Sequence, residues 1–156
     1  MGKFFTFHCK NCGHNLKFYF GIGGMYPQTY QEVLNDAIVG NLGAEIQKFL
    51  IENPKGVIDV SRVLAVCNNC GHSKMVRDLT MYLPKENFSP QNDYPLPSDF
   101  ENNYFAVKKY QHKCGYCGED VEIITEKNFL QTEIHLPCPN CNFEMTKRKS
   151  SGGHWD

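Results

Sequence analysis

No apolar run in the chain approaches the roughly 18 residues needed to cross a bilayer, which argues against a transmembrane helix. The opening MGKFFTFHC holds one lysine and a few apolar residues before a cysteine, well short of a signal-peptide h-region, so a cytoplasmic protein is expected. Catalytic signatures are missing too. There is no G-x-S-x-G nucleophile elbow and no H-E-x-x-H metalloprotease helix. PCPNC at 137–141 has the proline and paired cysteines of a zinc deaminase, but H-x-E occurs nowhere, so the catalytic half of that signature fails. GIGGMYP at 21–27 lacks the lysine and Ser/Thr of a phosphate loop and reads as a strand-to-helix turn. Excess positive charge is also absent: 16 Lys and Arg face 17 Asp and Glu, which argues against a globally basic nucleic-acid binder.

The chain does have cysteine. Eight cysteines form four C-x-x-C pairs with none left over: Cys9/Cys12, Cys67/Cys70, Cys114/Cys117 and Cys138/Cys141. Without an export signal, metal is the better reading than disulfides. A C-x-x-C places two sulfurs on one ion when the chain reverses between them and the turn amides face the thiolates. The reversal needs a residue that tolerates positive φ after the second cysteine. Gly13, Gly71, Gly118 and Asn142 stand there.

Two such knuckles complete one closed tetrahedral site, so two Zn²⁺ ions are expected, with Fe as the alternative because Fe(Cys)₄ uses the same ligands. Twenty residues separate Cys117 from Cys138, a spacing typical of zinc sites, and 54 separate Cys12 from Cys67. Nearest-neighbour pairing then gives Cys9/Cys12/Cys67/Cys70 and Cys114/Cys117/Cys138/Cys141. Crossed pairings would require interleaved modules. Each Zn(Cys)₄ carries −2, which takes the net charge from −1 to −5.

On these cysteines the chain resembles tandem zinc ribbons of the rubredoxin-like type, knuckle-bearing hairpins that share a metal. The resemblance implies a small, metal-stapled α+β fold of two zinc-ribbon β-hairpin modules. It implies metal and fold but not function, and the first module departs from a minimal ribbon through a helical insertion.

The expected organisation is sequential. A first ribbon spans 1–83, with FFTFH, LKFYF, RVLAV and SKMVRDLTMYL as strands and an inserted helix over about 29–52. Thr29 and Glu32 would form its capping box, Pro54 its stop, and Gly40 and Gly43 a kink or a break into two helices. A proline-rich, acidic, extended linker covers 84–104. A second ribbon covers 105–149, with strands in FAVKKYQHK, DVEIITE, QTEIHL and FEMTKRK, and 150–156 forms a flexible tail.

His14 and His72 follow the first two knuckles and are candidates to approach the first metal from outside its ligand shell. Lys108, Lys109, Tyr110, Tyr116, Lys147, Arg148 and Lys149 are candidate partner contacts, because basic residues interleaved with aromatics suit single-stranded nucleic acid. Thin metal-stapled cores also need aromatics, and the core reading leads. The expected function is non-catalytic: an interaction module for a macromolecular partner, protein or nucleic acid, without membrane association. A rubredoxin-like iron electron carrier is the alternative.

Overall fold

The structure, a computed structural model, describes the backbone of residues 2–155 and their side chains except those of 148–152. In chain order the elements are β1 (Gly2–His8), β2 (Asn15–Phe20), α1 (Tyr26–Ile38), α2 (Ala44–Glu52), β3 (Val57–Ile58), β4 (Arg62–Cys67) and β5 (Ser73–Arg77). They continue with β6 (Met81–Pro84), α3 (Pro97–Asn102), β7 (Tyr104–Lys108), β8 (Val121–Ile124), α4 (Glu126–Gln131), β9 (Leu136–Pro137) and β10 (Glu144–Trp155). The class is α+β with antiparallel sheets, and no helix among the described residues is long and apolar enough to cross a membrane.

Two compact units form, each from non-consecutive segments. Unit 1 takes Met1–Gly24, Arg62–Arg77 and Gln111–Asp156, and unit 2 takes Met25–Ser61 and Asp78–Tyr110. Neither expected boundary, at 83/84 or 104/105, coincides with a unit boundary.

Unit 1 contains a four-stranded sheet in the order β2-β1-β10-β9 and a three-stranded sheet in the order β5-β4-β8. Strand alternation sends Phe5 and Phe7 of β1 and Phe18 and Phe20 of β2 to one face. There they bury with Leu64, Leu136, Met145 and Phe129. Phe129 is the hub: its ring centroid lies 4.8 Å from Phe5, 4.8 Å from Phe20 and 5.8 Å from Phe7. It reaches that position from α4, a helix that starts because Thr125 caps it, its hydroxyl accepting from the Asn128 amide at 3.3 Å.

Unit 2 pairs β3-β6-β7 into a sheet accompanied by α1, α2 and α3. Tyr26, 4% exposed, donates its hydroxyl to the Pro95 carbonyl at 2.7 Å, and Phe100 packs on Tyr82 at 4.5 Å between centroids. Burial pushes the Tyr26 and Tyr30 phenols well above their ordinary range.

Several expectations are corrected here. Helix α1 begins three residues before Thr29, because Pro27 in its first turn supplies a preset φ and needs no amide partner; Thr29 instead donates its amide to the Met25 carbonyl within the helix. The inserted helix is two helices, broken where Gly40 and Gly43 take φ of +90° and +102°. SKMVRDLTMYL is two strands, β5 and β6, separated by a turn in which Leu79 has φ +63°. The 84–104 segment is no extended connector: it carries α3 and packs Phe88 against Tyr104 at 5.2 Å. FAVKKYQHK contributes β7 to unit 2 rather than a strand to the second ribbon. The C-terminal segment is not a loose tail, because β10 runs to Trp155 and pairs with β1 from Gly2↔Trp155 to His8↔Thr146. Asp156 lies outside the described residues.

Candidate metal centres

All four knuckles share one local geometry. In each, the amide of the residue after the second cysteine donates to the carbonyl of the first: Gly13 to Cys9, Gly71 to Cys67, Gly118 to Cys114 and Asn142 to Cys138, at 2.8–2.9 Å. The first cysteine donates back to the residue two past the second: Cys9 to His14, Cys67 to His72, Cys114 to Glu119 and Cys138 to Phe143, at 2.7–2.9 Å. The reversing residues sit at φ +75°, +73°, +78° and +60°, the left-handed region that glycine and asparagine enter at least cost.

The pairing of knuckles differs from the nearest-neighbour expectation. Cys9, Cys12, Cys138 and Cys141 form one group, and Cys67, Cys70, Cys114 and Cys117 the other, each with all four sulfurs within 4.8 Å of one another. The Sγ···Sγ separations are 3.5 Å for Cys9 to Cys141 and 3.6 Å for Cys12 to Cys138. They are 3.4 Å for Cys67 to Cys117 and 3.6 Å for Cys70 to Cys114. A zinc ion with Zn–S near 2.3 Å sets a tetrahedral edge of about 3.8 Å, whereas a disulfide needs about 2.05 Å. The thiols are free and the cages fit a thiophilic ion.

Strand pairing explains why the groups cross. The strand leading into Cys9, β1, pairs with the strand leaving the fourth knuckle, β10. The strand leading into Cys67, β4, pairs with β8, which leaves the third knuckle. The two cages are therefore equivalent constructions, the second nested within the first along the chain. Near-identical CKNCGH and CNNCGH are the matching halves of two sites, not two halves of one.

Sequence reasoning missed the second ring of donors. The Asn11 side chain donates across to Cys141, and the Asn69 side chain to Cys117. Both occupy the third position of their knuckle, and that shared asparagine in the near-repeat was the available signal. Hydrogen bonding to the charged form favours it. Asn11 and then the Phe143 amide draw the Cys141 thiol down to about 6, and the Glu119 amide and then Asn69 draw Cys117 down to about 6. Cys9 receives the Cys12 amide, yet burial and neighbouring sulfurs raise it to about 11. Cys70, exposed and receiving the His72 amide, is pushed up to about 12 as local desolvation and the sulfurs of Cys117, Cys114 and Cys67 disfavour its charged form. Turn amides and the two asparagines thus favour the thiolate at Cys141 in one cage and at Cys117 in the other, where the Cys117 and Tyr116 amides also lower Cys114.

A cleft of about 630 Å³ opens between the cages in unit 1, lined by Leu16, Phe18, His72, Tyr116, Pro137 and Asn140 among others. Tyr116 is 82% exposed and stacks on His72, ring centroids 6.1 Å apart at 20°. His14 is half-buried and holds its knuckle through its carbonyl. Lys147 lies over the Phe5 and Phe129 rings at 4.5 and 4.7 Å, while Lys108 pairs with Glu45 at 2.8 Å in unit 2, where Lys109 and Tyr110 also lie. The candidate contacts are therefore split between units, and the side chains of Arg148 and Lys149 lie outside the described residues.

Charge divides with the units. Unit 1 carries 11 Lys and Arg against 7 Asp and Glu, net +4, and unit 2 carries 5 against 10, net −5. Two Zn(Cys)₄ cages at −2 each would bring unit 1 to zero. No protein-family model, curated protein or solved structure matches the chain.

Proposed function

We propose that the chain is a non-catalytic cytoplasmic protein in which two structural Cys₄ zinc sites hold two interleaved, zinc-ribbon-like modules that present unit 1 to a macromolecular partner. One observation carries this reading: two sets of four free thiols, each within 4.8 Å, each collared by turn amides. Four thiolates fill the tetrahedral shell of zinc and leave no position for water or substrate, so the metal acts as a staple rather than a reaction centre. Structural zinc contributes roughly 10–16 kcal/mol of apparent binding energy, which becomes folding energy where the unfolded chain has no site.

Metal analysis of the purified chain, read beside its visible spectrum and its far-ultraviolet circular dichroism under a chelator, tests this. Two colourless zinc ions per chain and loss of β-structure on chelation are expected. A red, iron-loaded chain would make it the electron carrier instead, and a chain that folds without metal would overturn the structural role.

A further inference from the structure

We propose that the face of the β2-β1-β10 sheet opposite the unit 1 core is a stacking platform for a single strand of nucleic acid, with Phe4, Tyr19 and Trp155 taking nucleobases and Lys17 and Arg62 taking phosphates. This rests on the reading of unit 1 as an interaction module and names its partner.

Strand alternation divides the aromatic residues of β1 and β2. Phe5, Phe7, Phe18 and Phe20 enter the core, and Phe4 and Tyr19, cross-strand partners, go to the other face with Trp155, which sits opposite Gly2. The three rings form a row, with centroids 5.9 Å from Phe4 to Tyr19 at 40° and 5.8 Å from Tyr19 to Trp155 at 85°, so each ring offers its own face to a base rather than sharing one plane. Two glycines make room for it. A Cβ on Gly153 would come within 2.4 Å of the Phe4 ring, and one on Gly2 within 2.1 Å of the Trp155 indole, so these rings rest directly on the backbone. The indole is pinned by its Nε1–H, which donates to the Phe20 carbonyl at 3.0 Å. All three rings keep partial exposure, although none of them serves the core.

A cation marks each end of the row. Lys17 Nζ stands 5.5 Å from the Phe4 centroid and the Arg62 guanidinium 4.8 Å from the Trp155 centroid, and among the described residues neither is ion-paired. Segments 1–24 and 62–77, which supply both cations, contain six Lys and Arg and no Asp or Glu. On β1 and β2 the remaining side chains of this face are Thr6, His8, Asn15 and Lys17, with no branched aliphatic residue. Partly exposed rings, polar surroundings and cations with no ion-pair partner among the described residues match bases and phosphates better than the apolar centre of a protein interface.

Trp155 is the chain's only tryptophan, so its fluorescence reports the platform directly. The zinc-loaded full chain is titrated with ten-nucleotide oligo-dT, oligo-rU and a ten-base-pair duplex. Quenching by both single strands and little by the duplex is expected. Tyr19→Ala is expected to weaken binding by roughly 5- to 150-fold. Lys17→Gln should flatten the slope of log affinity against log salt by about 0.7. Trp155→Ala, followed by anisotropy of a labelled strand, should weaken binding to an extent similar to Tyr19→Ala. The proposal is overturned if no single strand quenches at low salt, if the duplex binds equally well, or if Tyr19→Ala binds like the parent with metal content and circular dichroism unchanged. It also fails if Tyr19→Ala releases a bound protein while no oligonucleotide binds. In any of these cases an intact two-zinc content leaves the structural-metal reading standing.

Discussion

Two double substitutions decide how the knuckles pair. Cys9→Ala with Cys141→Ala removes two ligands of one cage and leaves Cys67, Cys70, Cys114 and Cys117 whole. Cys9→Ala with Cys67→Ala takes one ligand from each. Under nearest-neighbour pairing the consequences exchange, since Cys9 and Cys67 would share a cage and Cys9 and Cys141 would not. Alanine is the suitable replacement because Cys9 and Cys67 are 0% and 1% exposed, and a serine hydroxyl there would be buried. A complete cage contributes roughly 10–16 kcal/mol, comparable to the whole 5–15 kcal/mol margin of an ordinary domain. The Cys9/Cys141 variant should therefore hold one tight zinc ion and keep the β4-β5-β8 sheet, while amides of β1 and β10 lose exchange protection. The Cys9/Cys67 variant should hold none tightly. Native mass spectrometry counts the ions and hydrogen exchange locates the loss. One ion in the Cys9/Cys67 variant and none in the Cys9/Cys141 variant would refute the crossed arrangement.

Asp59 sets a pH dependence in unit 2. Burial first, and then the charge of Asp78, raise its carboxyl to about 6, although Ser61 donates to it. The native state then binds the proton more tightly than the unfolded chain, so stability falls as pH rises from about 4 to about 6 and is level above. The difference of about 2 in pKa corresponds to about 3 kcal/mol. Asp59→Asn should abolish that decline; the difference between variant and parent in urea unfolding from pH 4.5 to 7 cancels metal-linked terms, and parallel curves would contradict the assignment. Gly13 and Gly71 share positive φ, but a Cβ on Gly13 meets nothing within 4 Å, whereas one on Gly71 lies 2.8 Å from Pro137 Cγ. Gly13→Ala should cost about 1–2 kcal/mol and Gly71→Ala measurably more, with weaker zinc retention against a chelator; equal costs would show that the proline yields. Phe129→Ala should cost about 3–5 kcal/mol by removing the ring on which Phe5, Phe7 and Phe20 converge, read as a shift in denaturation midpoint.

What the sequence made legible was local. The knuckles, their positive-φ residues and the strands flanking the first two are properties of a few consecutive residues, and each was readable from residue type. The helical insertion was visible through its periodicity, but its start was misplaced because Pro27 outweighs a capping box formed by Thr29 and Glu32. Residues 84–104 read as a linker because proline and acidic residues dominate them, yet Phe88, Phe100 and Tyr104 supply enough apolar surface to fold them onto unit 2. The C-terminal strand was hidden by SSGG, which has little β-propensity; its pairing comes from β1, a partner more than 130 residues away in sequence.

The choice between pairings was beyond sequence spacing for a reason that can be sized. Nearest-neighbour closure forms loops of 54 and 20 residues. The observed arrangement closes 43 residues between Cys70 and Cys114, then an outer loop that counts 74 free residues once the inner cage is shut. With closure entropy growing as (3/2)RT ln n, the observed wiring costs only about 1 kcal/mol more. Either wiring binds two ions through eight thiolates, so the metals themselves do not discriminate. The deciding contributions are those each wiring makes possible elsewhere: the β1-β10 and β4-β8 ladders, and the burial of Phe129, Leu136 and Met145 against the phenylalanines of β1 and β2. At about 1.5–3 kcal/mol for each large apolar side chain buried, three such residues outweigh the entropic difference several times over. The fold is therefore selected by its aromatic core, which is why a pattern read from cysteines alone identifies the two Cys₄ cages and not what they fasten.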